Sequence, residues 1–141
     1  MQRDRDGLVY ADATALSRAL LPGPESVAWL RFAAENAHRL VTSELGITEL
    51  RRLTVGMDPV ARAKAWEIQD HIEVVRLSDQ ALEVAALASA AAPPYTALHV
   101  GTAVSDTRIE AVATYDPLLA RVCDIYSVVV VSPGRSDGWW L

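Results

Sequence analysis

Three acids, Asp12, Glu49 and Asp116, stand where side-chain chemistry is plausible on physical grounds. Asp12 closes the short apolar run 8–11, Asp116 follows the β-rich run 109–113, and Glu49 sits in an amphipathic stretch that follows a third apolar segment. Carboxylates gathered at one place cannot all stay ionised without compensation, and a hard divalent cation with oxygen ligands provides it. The same two aspartates would also serve as helix N-caps, a role Asp fills well. Spacing alone leaves both roles open.

Elements that would bring these acids together can be read from hydrophobic pattern. Residues 8–11 form a strand, 14–21 a helix halted by Pro22-Gly23-Pro24, and 25–38 a second helix with Val27, Leu30 and Ala34 on its apolar face, flanked by Trp29 and Ala33. A strand at 40–43 follows, with Thr42 or Ser43 able to cap a helix over 45–53, and then a helix at 59–70. Residues 72–77 are β-rich and end at Ser78-Asp79, which opens a helix to about residue 91. After Pro93-Pro94 come a helix at 95–104, the strand 109–113, a helix opened by Pro117, and a last strand at 127–131. Strands alternating with helices predict an α/β domain with a mostly parallel central sheet flanked by helices on both faces, because parallel neighbours require crossovers. In such a sheet the working edge lies at the carboxyl ends of the strands, where Asp12 and Asp116 both fall.

Composition sets limits on function. The 141 residues, 51% of them hydrophobic, suit one domain over 1–141, with tails at 1–7 and 135–141. Thirteen Lys and Arg against eighteen Asp and Glu give a net charge of −5, so any nucleic-acid chemistry must rely on local positive charge. A single cysteine, Cys123, excludes an internal disulfide framework, and no signal-peptide pattern or apolar run of about 20 residues is present, so a cytoplasmic protein without a membrane segment is expected. His38, His71 and His99 are too scattered to suggest zinc or a triad. Trp139-Trp140 in the tail would dock on the core or a second subunit, or stack on a base.

The words around the acids carry a resemblance. Val9-Tyr10-Ala11-Asp12-Ala13-Thr14-Ala15-Leu16 looks like the opening of PIN domains. The run from Val41 to Leu50 is similar to their second motif, with Glu49 as its acid, and Val112-Ala113-Thr114-Tyr115-Asp116 to their last acid motif. Val131-Ser132-Pro133-Gly134 resembles a common ending of VapC toxins. Each word is weak alone, but four occur in order from about residue 8 to 134. One departs: Tyr95-Thr96-Ala97-Leu98-His99-Val100-Gly101-Thr102-Ala103 resembles the third motif except that Thr96 stands where an aspartate is expected, and a hydroxyl cannot replace the missing charge. Asp106 is ten residues on, roughly 15 Å away at helical rise, and does not substitute; Glu44 is nearer but reads as a helix-start acid.

The resemblance implies a single PIN-like domain acting as the toxin of a VapBC-type toxin–antitoxin pair. It implies an endoribonuclease in which Asp12, Glu49 and Asp116 hold magnesium or manganese and a metal-bound water attacks the phosphodiester, with Thr14 and Thr114 orienting the aspartates and Thr96 as the degenerate position. Arg18, Arg51 and Arg52 could touch RNA phosphates or a partner's acids. A VapB-like antitoxin, an RNA substrate and a homodimer are the implied partners, with no DNA contact by this chain itself. The alternative that Thr96 favours is a catalytically impaired PIN domain that binds antitoxin or RNA. Receiver and dehalogenase-like domains fit poorly, since the only lysine is Lys64 and the residue two after Asp12 is Thr14.

Overall fold

β1 (Leu8–Ala11) is the middle strand of a five-stranded sheet of order β3-β2-β1-β4-β5, in which every pairing is parallel. The other strands are β2 (Leu40–Ser43), β3 (Glu73–Val75), β4 (Ile109–Ala113) and β5 (Val129–Val131). The computed structural model describes residues 7–141; all of the expected N-terminal tail except Gly7 lies outside the described residues. The chain winds outwards from β1 to β3 on one side, then crosses to β4 on the other, so the strand order reverses between β1 and β4. Parallel α/β sheets open a crevice at that reversal, beyond the carboxyl ends of the strands.

Alternation along β1 assigns the two layers. Val9 and Ala11 belong to a core with Leu16, Trp29, Leu50 and Ala65, contributed by α1 (Ala13–Leu16), α2 (Ser26–Glu35), α3 (Glu44–Thr54) and α4 (Pro59–His71). Tyr10, between them, belongs to the opposite core with Val100, Leu119, Val122 and Cys123, from α6 (Pro94–Ser105) and α7 (Pro117–Ile125). With both faces covered, Val9, Tyr10 and Ala11 are fully buried, as a continuous apolar run in a parallel strand should be. α5 (Asp79–Ala88) packs closely on α6: a Cβ on Gly101 would stand 2.3 Å from the Ala81 carbonyl oxygen, so only glycine permits that approach.

Several boundaries differ from the sequence expectation. The first helix is a single turn, continued by a 3₁₀ turn at Ser17–Ala19, and α2 stops at Glu35 before a second 3₁₀ turn, Ala37–Arg39. α2 also shows another face from the one expected, burying Ser26 and Trp29 while Val27 and Leu30 are exposed, because the sheet takes up the bulky indole. α5 ends at Ala88, β3 covers only Glu73–Val75, and β5 begins at Val129 after Ser127 adopts a positive φ of 59°. Among the described residues no helix is long and apolar enough to cross a membrane.

Candidate functional site

β1 and β4 run side by side with Ala11 opposite Ala113, so the residues that follow, Asp12 and Thr114, leave the sheet together. Asp12 caps α1 and is 3% exposed. Its Oδ1 accepts from the Thr14 hydroxyl (2.7 Å) and the Ala15 amide (3.0 Å), and its Oδ2 accepts from the Thr114 hydroxyl (2.8 Å). Thr114 in turn accepts the Asp116 amide (3.0 Å), and Thr14 accepts the Tyr115 amide (2.8 Å), so both hydroxyls lace the two strand ends together. Burial pushes the Asp12 carboxyl above the ordinary carboxylate range, opposed by nearby His99 and by the bonds from Thr14, Thr114 and Ala15.

Asp116 is half-buried and caps α7, its Oδ1 accepting the Leu118 amide at 2.9 Å. Pro117 at the first helical position supplies the preset φ without wasting a donor. Of the two roles left open by spacing, the helix cap is realised at both aspartates.

Glu49, on α3, is held by a route the sequence did not disclose. His99 Nε2 lies 2.7 Å from Glu49 Oε1, and His99 Nδ1 lies 2.7 Å from the Tyr10 hydroxyl, which lies 2.7 Å from Ser43 Oγ. With Glu49 ionised and accepting, one assignment satisfies the whole chain: Ser43 donates to Tyr10, Tyr10 to His99 Nδ1, and His99 Nε2–H to Glu49. Ser43 Oγ also accepts the Gly46 amide and so caps α3. Burial raises the Tyr10 hydroxyl far above its usual range, keeping it a proton donor. His99 comes from α6, one turn beyond Thr96, which is buried at 8% exposure in the first turn of that helix. Tyr10, Ser43 and His99 were missed as a unit because they lie 33 and 89 residues apart. His99's place in the third motif was the only available signal.

Other candidates are dispersed. Asp106 caps the far end of α6 and binds Arg108, and Glu44 is exposed at the start of α3. Arg18 lies 4.3 Å over the Tyr115 ring, beside Asp116, and its Nε is 3.3 Å from Glu25. Arg51 binds Gln69 and lies over Trp66, so it is not drawn in with Arg18.

These donors suit a hard divalent cation in kind, being carboxylate oxygens with Glu49 Oε2 and Asp116 Oδ2 left unpartnered among the described residues. In position they fall short: among the described residues no three His, Cys, Asp or Glu side chains are grouped to hold one metal ion. Thr96 adds no charge to that set, and His99 already engages Glu49.

No family model and no curated protein matches the sequence. Solved structures do. The crystal structure of FitAcB from Neisseria gonorrhoeae contains a chain to which this one is similar with a TM-score of 0.69 and 16% identity, covering 92% of this chain and 100% of that one. The structure of FitAB bound to an IR36 DNA fragment gives a TM-score of 0.70 at 16% identity, covering 94% and 99%. Likeness at that identity shows the fold alone, a PIN-like α/β arrangement with a five-stranded parallel sheet.

Proposed function

We propose that this chain is the toxin of a toxin–antitoxin pair and cleaves RNA as an endoribonuclease, with magnesium or manganese as cofactor. The single observation that carries the reading is the strand-end pair Asp12 and Asp116, laced together through Thr114 where the strand order of the sheet reverses. The full-length likeness to chains of FitAcB and FitAB complexes supports an antitoxin partner, and a homodimer belongs to the same proposal.

The chain's own residues do three things in this reading. Thr14 and Thr114 fix the Asp12 carboxylate so that no rotamer search precedes its use. The Tyr10–His99 relay aims Glu49. Asp116, on the lip of the crevice, adds charge where substrate enters. Three acids repel phosphate, and a divalent cation held there would supply the neutralising charge and make a coordinated water more acidic. Asp12, Glu49 and Asp116 are the residues that would hold it once drawn closer together than they stand here.

A second reading has its own observation. Thr96, with no three-ligand grouping among the described residues, favours a PIN domain that binds antitoxin or RNA with little turnover. One experiment separates the two: cleavage of structured RNAs by antitoxin-free protein across a manganese titration, for the native chain, Asp12→Ala and Thr96→Asp. Cleavage by the native chain and its loss in Asp12→Ala support the nuclease. Cleavage only by Thr96→Asp supports the binding role.

A further inference from the structure

The tail beyond β5 folds back as a pocket beside Asp116 rather than trailing into solvent. Ser132 donates to the Thr114 carbonyl (2.6 Å) and Tyr115 donates to the Pro133 carbonyl (2.6 Å), which ties the tail to the last acid motif. Burial pushes the Tyr115 hydroxyl up to about 12, so it remains a donor throughout the neutral range. Turns at Gly134 and Gly138, with φ of 93° and 69°, bring Arg135, Trp139 and Trp140 around a cavity of about 290 Å³ that Val130, Val131 and the acidic Asp137 also line.

Three features of that cavity point to one kind of occupant. The Arg135 guanidinium lies 4.4 Å from the Trp139 ring centroid and 5.4 Å from that of Tyr115, with only a 3.6 Å contact to Glu25 as its ion pair. Trp139 and Trp140 meet edge to face at 5.9 Å, which leaves ring faces for stacking. The indole N–H groups of both tryptophans are buried and have no acceptor among the described residues, so the cavity presents ring surface rather than donors. Single-stranded RNA fits that lining, with a base to stack on the rings and negative charge for Arg135 that outweighs the neighbouring Asp137. In a chain of net charge −5, such local cations are the means of holding a phosphate backbone.

We propose that the Arg135, Trp139 and Trp140 pocket is a subsite for one nucleotide of single-stranded RNA, flanking the strand that passes Asp116. The proposal rests on RNA being the ligand of the carboxylate edge but not on that edge being catalytic. The test is fluorescence anisotropy of a labelled oligouridine in EDTA, where cleavage is stopped, with the native protein, Trp139→Leu, Trp140→Phe and Arg135→Gln. The expected result is a Kd raised at least ~10-fold in Trp139→Leu, a smaller rise in Trp140→Phe, which keeps an aromatic face of smaller area, and a flatter salt dependence in Arg135→Gln. Equal affinity in all four proteins, or no binding by the native chain, overturns the subsite. So does sedimentation showing that Trp139→Leu merely separates a dimer, since the occupant is then a second copy. Cleavage in manganese is scored separately: a native chain that cuts while the tail variants bind unchanged fails this inference alone, whereas tail-dependent binding without cleavage fails only the nuclease.

Discussion

Asp12 and Asp116 hold equivalent places, each following one of two neighbouring parallel strands and each capping the next helix, yet their surroundings differ sharply. Asp12 follows the central strand, is almost wholly buried and accepts three hydrogen bonds; Asp116 follows β4, is half-buried and accepts one. The contrast teaches that the same strand, acid and helix word yields a fixed, buried carboxylate at the sheet's centre and a freer one nearer its margin. Burial, not cap chemistry, makes the difference.

Asp12→Asn should break the comparison most visibly. RNA cleavage falls to background, while the protein becomes more heat-stable at pH 8 than the native chain. The sign follows from linkage: a carboxyl raised in the folded state contributes its full stability below its unfolded value and loses it as pH rises through the folded one, so the ionised group weighs against folding at neutral pH. The gain in melting temperature should therefore be larger at pH 8 than at pH 5, and an equal gain in Asp116→Asn would erase the distinction between the two acids.

Thr114→Val tests whether one hydroxyl joins the two acids. It removes the bond to Asp12 Oδ2 and the acceptor for the Asp116 amide inside a fully buried position, a loss of about 3 kcal/mol by urea unfolding. A loss under about 1 kcal/mol would mean that the strand ends hold together without it.

Tyr10→Phe probes the third acid from behind. It strips His99 Nδ1 of its donor in a buried site and should cost about 2 kcal/mol. If the relay also aims Glu49, Tyr10→Phe lowers cleavage in the native background and adds little in a Glu49→Gln background, whereas an equal factor in both means that the two residues act independently. Asp116→Asn is the smallest change, within about 0.5 kcal/mol, because Asn caps as well as Asp; its stability is read from the same urea curves.

Much of this architecture was legible in local pattern. The alternation of apolar strands with helices and the caps at Asp12, Ser43, Ser78 and Asp116 are short-range signals, and they placed the sheet, its covered faces and its acid-bearing edge close to where they stand. Helix faces and ends were less legible. The buried side of α2 turns on Trp29, whose large ring outweighs Val27 and Leu30 once a sheet is present to receive it.

By itself, then, the sequence determined which residues form strands and caps, and that Asp12 and Asp116 would stand at the carboxyl ends of strands in a parallel sheet. Only the tertiary structure decided that Asp12 is buried to the point of resisting ionisation, that Glu49 is reached by His99 across 50 residues, and that the two tail tryptophans surround a pocket beside Asp116. The physical reason is range: capping and periodicity act within a turn or two of chain, whereas desolvation and side-chain relays depend on which distant segments the fold lays against one another.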